Sequence, residues 1–195
     1  MIKSRKELQY YLQQDKLALG IPKSKGLFQK LKSLFFPNEI WKFERLLRYV
    51  EYYSNKGMGG VFFLMFYRYR FHRHSVRLGF TIPINVCAEG LSIAHYGSIV
   101  ISQNAKIGKN CRIHTGVNIG ASGGNSEAPQ IGDNCYIGPG AILFGNISIA
   151  NNVTIGANAT VNKSCNTENC VLAGSPATIV KEDVENWLKM NKVQM

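Results

Sequence analysis

Four histidines are the side chains here best suited to moving a proton near neutral pH. His72 and His74 stand among arginines in Tyr67-Arg68-Tyr69-Arg70-Phe71-His72-Arg73-His74 and read as surface residues. His95 and His114 lie elsewhere, in Ser92-Ile93-Ala94-His95-Tyr96-Gly97 and Arg112-Ile113-His114-Thr115-Gly116. In those stretches the inward positions are aliphatic, so neither imidazole belongs to a core by register. The spacing puts them about one coil of a repeat apart, projecting from neighbouring rungs on one face. Two such groups can transfer protons, bind a metal, or be unrelated surface residues. A zinc site needs three protein ligands beside water, so the pair would have to recruit a third group. No CxxC spacing offers an alternative metal site or a disulfide framework.

The element that must position these histidines is a repeat. From Ile101 to Val161 an aliphatic residue returns every sixth place: Ile101, Ile107, Ile113, Ile119, Ile131, Ile137, Leu143, Ile149, Ile155 and Val161. The skipped slot is Asn125, inside the Gly- and Ser-containing run Ala121–Gln130. Four places after each aliphatic comes a small or β-branched residue, among them Cys111, Val117, Cys135, Ala141, Val153, Ala159 and Cys165. Neither the helical nor the strand period alone produces this pattern, and Gly often follows the aliphatic. The signature is that of a parallel β-helix, three six-residue units to a coil, roughly five coils in all. Cys111, Cys135 and Cys165 then read as buried fillers.

Ahead of the repeat the sequence is helical. Ser4 and Glu7 form a capping box before Leu8, Tyr11, Leu12 and Leu19, with Gly20 and Pro22 as a stop. A second apolar stripe runs from Leu27 to Phe35. A third helix starts at the cap Asn38, and a fourth spans about Gly60 to Arg77. The expected divisions are a basic helical domain over 1–80, a β-helix over 81–177, and a helical tail over 178–195. Glu182 to Met190 is expected to cover the open end of the solenoid. Residues 1–80 carry 16 Lys/Arg against 5 Asp/Glu, whereas the rest carries 7 of each. That asymmetry favours an anionic partner at the N-terminal part: an acidic substrate or a membrane surface. The fourth helix alternates aromatic and basic residues, as an interfacial helix does, although a core helix with outward arginines fits the same pattern. No motif supports nucleic acid. The N-terminus lacks a signal-peptide core and Met58–Tyr67 is too short to span a bilayer, so a cytoplasmic location is expected, with peripheral contact at the inner membrane face.

Five ordered segments carry a family resemblance. They are Gly90-Leu91-Ser92-Ile93-Ala94-His95-Tyr96-Gly97-Ser98-Ile99-Val100, Val117-Asn118-Ile119-Gly120, Pro129-Gln130-Ile131-Gly132, Ile137-Gly138-Pro139-Gly140-Ala141 and Ala173-Gly174-Ser175-Pro176-Ala177. Together they resemble the hexapeptide-repeat acyltransferases, and among these the serine acetyltransferase branch. The resemblance implies a left-handed β-helix, a homotrimer that can pair further, and acetyl-CoA as donor. It implies His95 as general base, a role an imidazole suits because its pKa lies near working pH. It places the pantetheine arm along Gly120, Ala121, Gly138, Pro139 and Ala157, with Lys163 a candidate for the CoA phosphates. Backbone N–H groups near Gly120 and Ala121 are candidate oxyanion donors.

Departures from the family pattern matter for the acceptor. The branch has an Asp where Phe80 stands, an Asp before the base where Ala94 stands, and Arg-His where Glu127-Ala128 stand. The first of these orients the base, so Glu89 is a candidate replacement and His114 a second polar group. A zwitterionic acceptor needs both a cation and a carboxylate. With several such groups gone, the leading expectation is O-acetylation of a saccharide hydroxyl held by Asn85, Tyr96, Asn118 and Asn125. The alternatives are O-acetylation of L-serine and, remotely, a metal-dependent or non-enzymic β-helix trimer. No metal is expected.

Overall fold

The computed structural model describes residues 1–21, 35, 37–56 and 60–190. Three helices precede the solenoid: α1 (Arg5–Ala18), α2 (Glu39–Asn55) and α3 (Val61–Leu78). The capping box forms as expected. Ser4 Oγ accepts from the Glu7 N–H at 3.1 Å, and Glu7 Oε2 accepts from the Ser4 N–H at 2.9 Å. Asn38 caps α2 by accepting from the Trp41 N–H at 2.9 Å. Gly79, at φ +78°, closes α3 in the left-handed conformation. The expected apolar stripe Leu27–Phe35 lies outside the described residues except for Phe35.

The chain then winds as a left-handed β-helix of five coils with three faces. The first face stacks β1 (Phe80–Thr81), β3 (Ile99–Ile101), β6 (Asn118–Gly120), β9 (Ile142–Phe144) and β12 (Thr160–Val161), all parallel. The second carries β4 (Lys106–Ile107), β7 (Gln130–Ile131) and β10 (Ser148–Ile149), extended at its two ends by bridges from Cys87 and Cys165. The third stacks β2 (Ser92–Ile93), β5 (Arg112–Ile113), β8 (Tyr136–Ile137), β11 (Thr154–Ile155) and β13 (Val171–Gly174). The register pairs Ile93, Ile113, Ile137 and Ile155 coil upon coil, so the six-residue period becomes an aliphatic column sealed from water. All five cysteines are free and buried, Cys111, Cys135 and Cys165 in the small inward positions read from the repeat. At the corner leading onto the third face, Asn110, Asn134 and Asn152 adopt φ of 54°, 58° and 59°. Each of the first two donates a side-chain amide hydrogen to the next at 3.1 Å, a ladder that supplies the left-handed turn other side chains resist.

A solenoid ends in unpaired strand groups, and here the two ends are closed differently. At the first coil, helix side chains take the place of a missing rung. Arg48 donates to the carbonyls of Cys87 and Ala88 at 2.8 and 2.7 Å. Asp15 accepts from the Gly90 and Leu91 N–H groups, Glu44 from Ile93, and Glu51 from Asn85. Arg48 also forks onto Asp15 at 2.7 and 3.2 Å and reaches Glu51 at 3.0 Å, all within the interior. Burial, and then the neighbouring Asp15, push the Glu44 carboxyl well above the usual range. Phe43, Leu47 and Leu78 continue the same core into the helices.

The far end departs from the expected helical tail. After Ala177 the chain doubles back as β14 (Ala177–Lys181), antiparallel to β13, and this strand covers the last rung. The short helix α4 (Trp187–Met190) lies along the flank instead. Trp187 is buried there, donates its indole N–H to the Asn110 carbonyl at 2.8 Å, and has Arg112 over its ring. The Trp thus finds an apolar seat and a partner for its polar edge on the side of the coils, which a bare end would not offer.

Candidate active site

The corner between the third and first faces gathers the histidines. Ser92 pairs with Arg112 and Ile93 with Ile113, which brings His114 beside Ala94–His95 as the register predicts. The two imidazole centroids are 5.9 Å apart. His95 is exposed, with the exposed Tyr96 next to it; His114 is half-buried. Burial first, then Arg112 and His95, hold the His114 imidazole below its ordinary pKa, so it stays neutral at neutral pH. Its Nε2 is buried without a hydrogen-bond partner. On its other side stands Tyr136, ring centroid 4.9 Å away. Sequence reading missed Tyr136, although the repeat held the signal. It occupies the outward position one coil beyond Arg112, displaced in number by the extruded loop. Arg112 was missed as well; it donates to Ser92 Oγ at 2.8 Å and, after burial, is the next cause that lowers the His114 pKa.

No described residue gives the His95 ring a hydrogen bond or ion pair. Phe80, where the resembled branch has an orienting Asp, is buried with its ring edge against Phe43, centroids 4.9 Å apart. Glu89 does not replace that carboxylate within this protomer. It sits at the corner between the second and third faces, ion-paired with Lys109 at 3.4 Å, and strand β2 separates it from His95. Asn85 is likewise remote, bonded to Asn55 and Glu51 under the helical cap. His74, expected at the surface, is a further correction. It is buried, with Nε2 at 2.9 Å from the Glu39 carbonyl oxygen and 3.1 Å from its carboxylate, because α3 turns this position toward α2.

The remaining candidates fall at two corners. Gly138, Pro139 and Ala157 lie on the histidine corner, one and two coils beyond His114. A Cβ on Gly138 would meet the Ile155 carbonyl oxygen at 2.7 Å, so that glycine is required by the stacking of its own coils. Gly120, Ala121, Asn125 and Lys163 lie at the opposite edge of the first face. Asn125 is exposed in the loop 121–129, and Lys163 is exposed two coils beyond. A Cβ on Gly120 would meet only Asn118 Oδ1, at 3.4 Å, so the surface beside this glycine is open. Asn118 projects from β6 between the outward Val100 and Ile142. Among the described residues no group of three His, Cys, Asp or Glu is placed to hold a metal.

The "Bacterial transferase hexapeptide (six repeats)" family matches residues 128–163. A serine acetyltransferase of Staphylococcus aureus is 42% identical over 95 residues, which is 48% of this chain and 44% of that protein. The chain thus spans less than half the length of the curated relatives it matches. Among solved structures, the serine acetyltransferase of Brucella abortus strain S19 in complex with coenzyme A superposes with a TM-score of 0.72 at 24% identity, covering 93% of this chain and 71% of that one. The serine complex of the Neisseria gonorrhoeae serine acetyltransferase gives 0.68 at 22% identity, with 91% and 71% covered. At these identities the likeness is one of fold.

Proposed function

We propose that this chain, whose hexapeptide-repeat β-helix resembles that of the serine acetyltransferases, is an acetyl-CoA-dependent O-acetyltransferase with His95 as general base. The observation that carries this reading is an exposed imidazole on a stacked rung, its ring 5.9 Å from that of the half-buried His114. An alcohol is too weak an acid to attack a thioester unaided at neutral pH. His95 takes the hydroxyl proton as the oxygen bonds to the acetyl carbon, and the carbon–sulfur bond then breaks. The leaving thiolate recovers that proton from the imidazolium, so the products are an ester and the free thiol. Such base assistance contributes on the order of 10²–10⁴ in rate. A neutral His114 adds no second positive charge beside the imidazolium formed on His95, which favours the step.

L-serine is the acceptor we place first. The sequence alone put a saccharide ahead, and the comparisons reverse that order: the 42% identity falls on a protein named serine acetyltransferase. One observation keeps the saccharide as a second reading. Phe80 and Ala94 stand where the branch has carboxylates, and Phe80 is committed to the helix–solenoid core. Thiol release from acetyl-CoA, measured with L-serine and then with neutral sugar acceptors, separates the two. We expect serine-dependent release that falls by two or more orders of magnitude in His95→Ala. Release with sugars alone assigns the second reading. Near-normal turnover in His95→Ala removes the base from its role.

A further inference from the structure

Helix α3 stands on the helical cap with most of its circumference uncovered: of its side chains, only His74 and Leu78 are fully buried. Phe62, Met65, Phe66, Tyr69 and Val76 are exposed by 90%, 67%, 52%, 63% and 69%. Their spacing, at i, i+3, i+4, i+7 and i+14, lines them along one side of the helix. Cations border this line. Arg68 lies on one flank, Arg70 and Arg77 on the other, and Arg73 within it, all exposed. Two are held against the aromatic stripe itself, Arg70 over Phe66 at 5.3 Å and Arg73 over Tyr69 at 6.0 Å. The helix contains no acidic residue. Beside it an open groove of about 730 Å³ is lined by Lys42, Tyr69, Arg70, Arg73, Val76 and Arg77. No helix among the described residues is long and apolar enough to cross a membrane.

We propose that this face of α3 docks on an anionic lipid surface, with the aromatic line at the acyl boundary and the arginines on headgroup phosphates. Charge decides against a second copy of this chain as the occupant. Copies meeting through α3 would set arginine against arginine, within a segment that already carries a net +11 over residues 1–80. A lipid surface satisfies both halves of the pattern, because the rings bury apolar area while anionic headgroups neutralise the guanidinium groups.

The test is flotation of the full-length chain with vesicles of phosphatidylcholine alone or mixed with phosphatidylglycerol. Binding to the mixed vesicles only is expected, with loss at about 1 M salt, where the Debye length is about 3 Å. Two double variants, Phe62→Ser with Phe66→Ser and Arg70→Glu with Arg73→Glu, alter exposed side chains, and a thermal melt checks that each folds. Each should lower the partition coefficient at least about tenfold. Equal binding to both vesicle types, or full binding by either variant, overturns the proposal. So does an aromatic variant that changes only the sedimentation coefficient of the vesicle-free protein, which would assign the face to self-association.

Discussion

His114 has no ordinary partner for a ring nitrogen in the interior, and its environment resists protonation. Burial, Arg112 and His95 all depress its pKa below the unfolded value of about 6.5. The unfolded chain therefore binds that proton more readily than the native one, and stability rises with pH across the interval between the lowered native value and about 6.5. Above about pH 6.5 the effect is complete and flat. His114→Gln should remove this segment of the stability–pH curve, read from urea midpoints at a series of pH values, and leave the neutral region little changed. An unchanged acid-side slope in the variant would mean that other groups produce it. In activity, the same substitution is expected to cost less than His95→Ala, because in the proposed reaction His95 takes the substrate proton and His114 only borders it.

At the scale of elements, the helical cap is a set of charged side chains standing in for a strand. Arg48 is its centre, bonded at once to Asp15, Glu51 and two carbonyls of the first coil, with no exposed surface. Breaking a buried ion pair from one side leaves the other charge uncompensated, at about 3–5 kcal/mol. Arg48→Met is therefore expected to lower unfolding stability by that amount, whereas a loss below about 1 kcal/mol would mean that the remaining carboxylates reach water or protonate at little cost. This cap marks the limit of what the sequence made legible. The six-residue period displayed the coils, the inward cysteines and the stacked histidines, because each follows from local spacing. Capping residues gave the starts of α1 and α2 for the same reason. Asp15, Glu44 and Arg48 were invisible as a network, since pairs such as Asp15 and Gly90 meet only once the helices fold over the first rung. His74 was misjudged by the same logic: its neighbours in sequence are arginines, but its neighbour in space is Glu39. The segment Glu182 to Met190, which carries Trp187, was wrongly sent to the end of the solenoid, because nothing in a linear pattern distinguishes a flank from an end.

In the whole molecule the proposed site is divided. His95, Tyr96, His114, Pro139 and Ala157 occupy one edge of the first face, while Gly120, Ala121 and Lys163 occupy the other, with the strands of that face between them. In a single protomer the proposed base thus stands apart from the open glycine edge, across the strands of the first face. The outward Val100 and Ile142, 39% and 42% exposed, lie between the two edges and offer apolar surface for a neighbouring copy. If the slot forms where the histidine edge of one copy faces the glycine edge of the next, defects in the two edges must complement. His95→Ala spoils the first edge and Ala121→Trp blocks the second, so each variant alone should be nearly inactive in thiol release. Denatured together and refolded, they should regain activity, because some slots then pair an intact histidine edge with an intact glycine edge. Each variant refolded alone should recover none, and sedimentation should give the same multimer for all three samples. Should the mixture stay inactive while its copies demonstrably exchange, both edges would have to serve one protomer's site, and the division of labour between copies would be ruled out.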